Sequence, residues 1–540
     1  MGATKTIVEV DNFCYGQDVD TIVDSVLKSR GIKDVDEFLD PGEEYISPPD
    51  DIPNLYTACS IVAEAANNGK RIFLNVDSDA DGVTSGAIIK RYIEHCWSEQ
   101  TIDWWISQGK SHGTSRELTA LLEENVPDVL IIVDSLDNNV FNYKKYKDLG
   151  IQVVVLDHHL IKKQIAYDQY VTLASSQNSS NHELSGAGVC WKFCKAMDDL
   201  TDNDYADELV DLAATGLIAD MMNVSSECME NRAIINLGLN HLVNPALKKI
   251  IGGFRFDAQA VAFSIAPLIN ACCRYGENDS AFEAFISDDQ HEIARKIKVM
   301  KHCKDCQRTE VDECCLDLEE QFKSQMDKPV LCGMVRTTNG IHGLIANKTL
   351  SKYQRPVLIL NNRTKNGQFK GSGRSNLDGN FSQDCEDTGV SWVGGHENAF
   401  GIYIDEDKLD LFLNRIRDKY SNLTFSKSIH VDVAVEPEDL STALIDAMKD
   451  INRIAGKGFP SVQVGVTLTD WWVETMSQGR HLVFKDGFFT YIQWNAGDQL
   501  EYYEKLADQE KPLMVVGSLD SGFFGRRFVP RLIINQIVED

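Results

Sequence analysis

Three aspartates alternate in Val76-Asp77-Ser78-Asp79-Ala80-Asp81-Gly82, directly after the apolar run Ile72-Phe73-Leu74-Asn75-Val76. Charges this dense cannot be buried unpaired, so the segment belongs just past the end of a strand. There it forms a cluster of hard oxygen ligands, and a divalent cation would offset their mutual repulsion. A solvated acidic turn leaving through a glycine would look the same in isolation. The placement of other residues separates the two readings. The run Val129-Leu130-Ile131-Ile132-Val133 ends at Asp134, Val153-Val154-Val155-Leu156 ends at Asp157-His158-His159, and the apolar segment 212–219 ends at Asp220. Four apolar segments thus finish in Asp or His, at the edge where open parallel sheets bind their ligands.

Asp77, Asp79, Asp81, Asp134, His158 and Asp220 offer mixed oxygen and nitrogen ligation. That composition suits Mn²⁺ or Mg²⁺ rather than a structural zinc, which prefers thiolates. A set of this size can hold two cations about 3.5–4 Å apart, the arrangement used for phosphodiester hydrolysis. Asp134 is read as the bridging ligand, and Asp79 and Asp81 lead Asp77 for direct contact. Asp134, His158 and His159 are the catalytic candidates. The two histidines have different roles: His158 is counted among the ligands, while His159 orients ligands or meets substrate.

These residues need a scaffold. Continuous apolar runs separated by helical segments imply parallel strands covered on both faces. The predicted helix from 84 to 95 follows the Asp cluster, with Gly82 permitting the turn and Thr84 or Ser85 as cap. Residues 1–50 read as an N-terminal arm with helices near 22–27 and 34–39, stopped by Asp40-Pro41-Gly42. The α/β unit with the acidic cluster spans 51–288. One long helix, free of proline and glycine from 289 to 324, connects at 289–327 to a smaller α/β unit at 328–427. From 428 to 540 the pattern turns to short strands and turns, suited to an all-β barrel.

At 540 residues the chain is too long for one core. Its net charge of −29 argues against non-specific coating of nucleic acid. It favours a small substrate or a localised basic channel, expected here between the two α/β units. The 14 cysteines follow no secreted-scaffold spacing. No apolar h-region follows Met1-Gly2-Ala3-Thr4-Lys5, and no apolar run approaches the about 20 residues that span a bilayer. A cytoplasmic protein without membrane contact is expected.

Other pieces carry chemistry more loosely. Gly371-Ser372-Gly373-Arg374-Ser375 combines backbone donors, hydroxyls and a guanidinium, a set that recognises phosphate. His396 follows two glycines and can approach a substrate closely. Arg274, after a run of small residues, must be paired if buried. Cys303, Cys306 and Cys314-Cys315 lie in a helical pattern that does not form the usual metal knuckle. In the tail, Trp471, Trp472, Phe488, Phe489, Tyr491 and Trp494 mix with Arg526, Arg527 and Arg531, as strand core or as stacking platforms beside a basic edge.

The order of these motifs resembles the DHH phosphoesterase superfamily, and most closely its RecJ branch of single-strand-specific 5′→3′ DNA exonucleases. The resemblance rests on Asp77-Ser78-Asp79-Ala80-Asp81-Gly82 with Thr84-Ser85, Val133-Asp134, Asp157-His158-His159 and Ala219-Asp220. It continues in Leu184-Ser185-Gly186-Ala187-Gly188-Val189, Asn270-Ala271 with Arg274, Gly371-Ser372-Gly373-Arg374-Ser375 and Gly394-Gly395-His396. In the arm, Lys28-Ser29-Arg30-Gly31-Ile32 and Phe38-Leu39-Asp40-Pro41 are similar as well. The resemblance implies a two-metal nuclease releasing 5′-mononucleotides from single-stranded DNA, a second domain of the DHHA1 type and a terminal OB-fold. It places phosphate-end contacts on Ser372, Arg374 and His396. The family usually has a Pro-Asn-Arg-like segment where this chain reads Ile106-Ser107-Gln108-Gly109-Lys110-Ser111-His112-Gly113. Lys110 stands for that arginine, and Lys110 and His112 join Arg274 as substrate contacts.

The function implied is a metal-dependent 5′→3′ exonuclease acting in repair, recombination or replication, with single-stranded DNA, a single-stranded-DNA-binding protein or a helicase as partners. Two alternatives stand beside it. A DHH phosphodiesterase for short oligonucleotides or cyclic dinucleotides would normally stop before the tail at 428. An inactive replication scaffold would have lost ligands that this chain retains.

Overall fold

The structure, a computed structural model, describes residues 5–107, 113–137, 140–161, 166–337, 340–363, 366–377, 379–422, 426–487, 489–524 and 527–539. Lys110, His112, Phe488 and Arg526 lie outside them. Among the described residues no helix is long and apolar enough to cross a membrane.

The chain begins with strand β1 (Lys5–Val10) and then builds a sheet from β2 (Ile72–Val76), β3 (Asp103–Ile106), β4 (Val129–Val133), β5 (Gln152–Asp157) and β6 (Thr172–Ser175). The order is β3-β2-β4-β5-β6, with every neighbour parallel. All residues of β2 and β4 are buried, as both-face coverage requires. Helices Ala80–Cys96, Gly186–Thr201, Val210–Ala219 and Met229–Asn240 contribute most of their length to the same core.

The segment 212–219 is not a strand-like end of this sheet. It lies in the helix Val210–Ala219, with Asp220 as C-cap. Its run from Val210 to Leu217 is buried throughout because the helix is packed on all sides, and such a helix shows no polar stripe.

Helix Gln290–Phe322 leads to a second sheet of β7 (Leu331–Val335), β8 (Val357–Asn361), β9 (Gln368–Arg374), β10 (Trp392–His396) and β11 (Ala399–Asp405). Its order is β10-β11-β9-β8-β7, with only β7 and β8 parallel. The next strand, β12 (Ser426–Val431), pairs in parallel with β1, so the N-terminal arm is tied to the C-terminal region. The last sheet comprises β13 (Val433–Val435), β14 (Val464–Leu468), β15 (Trp472–Met476), β16 (His481–Lys485), β17 (Thr490–Gln493), β18 (Leu513–Phe524) and β19 (Arg527–Glu539). Its order is β13-β14-β18-β19-β17-β16-β15, and no described pairing joins the two ends into a barrel.

This region is not all-β. Helix Thr442–Ile451 buries Leu444, Ile445, Met448 and Ile451, and helix Leu500–Ala507 buries Tyr503. Nor is it a detached tail. Val433, Val464 and Phe459 belong to the same buried cluster as Val76 and Val133. Arg232, almost fully buried, joins the three parts by donating to the carbonyls of Phe38, Val224 and Ile454 at 3.0–3.1 Å. Trp471, Phe489 and Tyr491 are core, whereas Trp472 and Trp494 are exposed. Arg531 forms a two-pronged bond with Asp520, which neutralises it as part of a basic edge.

Candidate functional site

Strand register brings the acidic residues together. Val76 pairs with Val133, and Val133 with Leu156, so the ends of β2, β4 and β5 lie level. Asp77 and Asp134 follow β2 and β4, and Asp157 closes β5. All three are buried. Asp77 accepts from Ser135 Oγ at 3.3 Å, and Ser135 Oγ accepts from Gly113 N at 2.6 Å.

Beyond β2 the chain turns at once into a helix. Asp79, rather than Thr84 or Ser85, is the N-cap of Ala80–Cys96, accepting from Gly82 N at 3.1 Å. Thr84 instead donates back to the Ala80 carbonyl. Only glycine fits at 82, since a Cβ there would stand 2.5 Å from the Asp77 carbonyl oxygen. Asp81 is held by the start of helix Gly186–Thr201. It accepts from Ser185 Oγ at 2.9 Å, Gly186 N at 2.8 Å and Ala187 N at 3.1 Å. A helix N-terminus is a natural seat for a carboxylate. Burial nevertheless raises the Asp81 pKa, with His158 opposing and Asp79 reinforcing the shift.

His158 stands at the centre. Its Nε2 lies 3.1 Å from Asp134 Oδ1, 3.5 Å from Asp220 Oδ2 and 3.9 Å from Asp81 Oδ2. Asp220 reaches the cluster from the end of its helix, not from the sheet. Asp134 sits in the left-handed region at φ 54°, with its amide bonded to the Leu156 carbonyl at 2.9 Å. Burial, followed by Asp81, Asp79, Asp77 and Asp157, raises the Asp134 pKa well above the carboxylate range. His159 binds Asp157 while staying beside the cluster, with its Nδ1 4.0 Å from Asp134 Oδ1. Its Nδ1 is 2.9 Å from Asp157 Oδ1, and its amide donates to Asp157 Oδ2 at 3.0 Å. Burial lowers the His159 pKa, but Asp157 outweighs it and pushes the group up to about 9. Burial raises Asp157 in turn, yet the His159 bond and charge hold it below its usual value.

Donor type and geometry suit hard divalent cations. Potential ligand atoms lie within 4.8 Å of one another in three overlapping groups: Asp77, Asp79 and Asp134; Asp81, His158 and Asp220; and Asp134, His158 and His159. Asp134 belongs to two of them, and its buried Oδ1 accepts no hydrogen bond from the described residues. A buried carboxylate oxygen among four other acidic groups is costly unless a cation faces it.

The other candidates fall in two places. Ser372 and Arg374 occupy alternate positions of β9, and so share a face. Arg374 Nε donates to Asn347 Oδ1 at 2.8 Å and Nη1 to its own strand's Gly373 carbonyl at 2.7 Å. A Cβ on Gly343, in the first turn of helix His342–Tyr353, would meet Arg374 Nη2 at 2.8 Å and Ser372 Oγ at 3.8 Å. Hydroxyl, guanidinium and helix start therefore converge. Arg374, Ser375, Asn347 and exposed His396 line one open groove of about 710 Å³. Arg274 lies in helix Ala266–Tyr275, and its Nε is buried without an acceptor among the described residues. Asp79 is close enough to act on its charge.

Some contributors escaped the sequence reading. Asp157 was visible in its motif but had no assigned role; the structure makes it the partner of His159. Ser185 supports Asp81 together with backbone amides, which carry no side-chain signal. Gln177 donates to the His158 carbonyl at 2.9 Å, and no local pattern marks it.

Residues 71–217 match the DHH family N-terminal domain, and residues 327–422 match the DHHA1 domain. The chain is 27% identical to YorK from the SPbeta prophage of Bacillus subtilis, named as a single-strand DNA-specific exonuclease, across 95% of both chains. It is also 27% identical to the single-stranded-DNA-specific exonuclease RecJ of Bacillus subtilis, over 81% of this chain and 57% of that protein. The fold superposes on RecJ from Thermus thermophilus, solved in complex with Mn²⁺, with a TM-score of 0.77 at 20% identity, covering 99% of this chain and 80% of that one.

Proposed function

We propose, from the premise that this chain belongs with the RecJ-like DHH–DHHA1 single-stranded-DNA-specific exonucleases, that it removes mononucleotides stepwise from the 5′ end of single-stranded DNA with Mn²⁺ or Mg²⁺. The observation that carries the reading is the convergence of Asp77, Asp79, Asp81, Asp134, His158 and Asp220 around a buried carboxylate oxygen that takes no hydrogen bond.

Asp77, Asp79, Asp81, Asp134, His158 and Asp220 would hold two cations, with Asp134 shared between them. Bound there, such ions supply a readied water and offset charge on the phosphate. The chain's own groups do the rest. The Ser185–Ala187 donors fix Asp81, and Ser135 fixes Asp77. Asp157 keeps a proton on His159 Nδ1 and sets the ring's orientation, so that its other nitrogen is the one offered to a phosphate oxygen. Ser372, Arg374 and His396 would seat the terminal phosphate against the start of helix His342–Tyr353, which favours an anion.

A 3′-labelled single strand carrying a 5′-phosphate, incubated with Mn²⁺ or Mg²⁺, tests this. Progressive shortening from the 5′ end with release of 5′-mononucleotides is expected. Cleavage of dinucleotides alone would turn the reading to a short-oligonucleotide phosphodiesterase. No cleavage by folded protein with either ion would turn it to a non-catalytic scaffold.

A further inference from the structure

We propose that the seam between helices Ala266–Tyr275 and Gln290–Phe322 is a phosphate subsite, in which Arg274, Lys304 and Gln307 grip a backbone phosphate of the substrate strand beside the acidic cluster. The inference deepens the nuclease reading and rests on it.

Two contacts fix the register of the seam. The thiols of Cys272 and Cys303 are hydrogen-bonded, and Tyr275 Oη donates to Glu310 Oε2. Gln307 lies on the long helix one turn after Cys303 and just short of a turn before Glu310, so it falls opposite the stretch that contains Arg274. Gln307 is only 4% exposed, yet among the described residues its Nε2 has no acceptor. Arg274 repeats the feature from the other helix. Its Nε is buried and, among the described residues, without an acceptor, while its Nη1 donates to the Asn270 carbonyl at 3.3 Å. Two buried donors left unmet on facing helices cost stability and mark a place built for an acceptor that the fold does not supply.

The charge agrees. Lys304 and Arg308 stand one turn apart, on the stripe next to Cys303 and Gln307. Lys304 is half-buried and, among the described residues, has no carboxylate partner. Burial, then Arg274 and Arg308, lowers its pKa. Arg308 is exposed and bonds Asp305 at 3.1 Å. Of the acids beside the seam, Glu310 is engaged by Tyr275 and Thr337, and Glu277 accepts from Ser280. In a chain of net charge −29, Arg274 and Lys304 stand close enough to repel each other, and among the described residues neither forms an ion pair. Phosphate oxygens would satisfy both unmet donors and relieve the repulsion. The proximity of Arg274 to Asp79 ties the seam to the place of cleavage.

Binding of fluorescein-labelled dT12 to the full-length, metal-free protein, measured by anisotropy over a salt series, tests the proposal in Lys304→Gln and Gln307→Leu. Each variant should bind several-fold more weakly. Lys304→Gln should also flatten the slope of log affinity against log salt by about 0.7, the share of one single-strand phosphate contact. Gln307→Leu should melt at or above the parent's temperature, since it removes an unmet donor, whereas a merely structural glutamine would melt lower. Parent-like affinity and salt slope in both variants would overturn the subsite. If the parent binds no dT12, the nuclease reading fails and takes the strand phosphate with it. Thermal stabilisation by inorganic phosphate, present in the parent and absent in Gln307→Leu, would then mark the seam as a free-anion site instead.

Discussion

His158 Nε2 lies 3.1 Å from Asp134 Oδ1, an oxygen that is buried and accepts no hydrogen bond. The pair joins the ends of two adjacent strands, and the remaining acids gather around it. A buried carboxylate oxygen among like charges is costly unless a cation faces it. Asp134→Asn should therefore have opposite effects on activity and stability. Hydrolysis should fall to background at any Mn²⁺ concentration. The metal-free variant should melt above the parent, because the substitution removes one buried charge from a like-charged cluster. The rise in melting temperature that Mn²⁺ gives the parent should be lost. A variant that melts lower and is still stabilised by Mn²⁺ would show that Asp134 is not a ligand.

Ser185 acts at one remove. Its hydroxyl donates to Asp81 Oδ1, and two backbone amides complete the clamp. Ser185→Ala removes one donor and leaves the others. A bond to a charged acceptor contributes about 1.5–3 kcal/mol, and loss of such a support weakens a metal site by about 10- to 100-fold. The Mn²⁺ concentration for half-maximal activity should rise by that factor, while the rate at saturating Mn²⁺ recovers most of its value. Calorimetric titration with Mn²⁺ separates this from general unfolding.

The cluster was legible because parallel strands buried on both faces appear as continuous apolar runs, and ligands follow where such runs stop. Asp77, Asp79, Asp81, Asp134 and His158 could be read in this way. Asp220 was found for an incomplete reason, since a short apolar run does not by itself distinguish a strand from a wholly buried helix. The pairing of Lys5–Val10 with Ser426–Val431 could not be read at all, because nothing local to either segment names a partner so distant in the chain. Helix Thr442–Ile451 carries its own signal among strand-like neighbours. Leu444, Ile445, Met448 and Ile451 follow the helical period, in a region where strand patterns are otherwise the stronger signal.

His342 supplies a pH test away from the cluster. The residue is buried at the start of helix His342–Tyr353, and its Nε2 has no partner among the described residues. Burial, then Lys370, lowers its pKa to about 4. A histidine depressed in the folded state favours folding fully above the unfolded value of about 6.5, and that contribution is lost as pH falls towards 4. Across this window the loss amounts to roughly 3 kcal/mol. Urea unfolding of the parent and of His342→Leu at pH 7, 5.5 and 4 should show a shallower acid decline in the variant. Parallel declines would exclude His342 as a source of acid sensitivity.

Arg374 should decide whether the end of the strand is sensed. Its guanidinium is half-buried and held by Asn347 and the Gly373 carbonyl, within reach of Ser372 and the first turn of a helix. A lysine keeps the charge but not the planar fork, so it cannot keep these bonds while also meeting a phosphate. Both Arg374→Lys and Arg374→Ala should raise KM for 5′-phosphorylated strands by about 10-fold or more, the worth of a charged hydrogen bond. Neither should change KM for strands ending in a 5′-hydroxyl by a comparable factor. The ratio of kcat/KM for the two substrates is the quantity to follow, because a general loss of folded protein cancels from it. An unchanged ratio in both variants would move recognition of the terminal phosphate away from this groove.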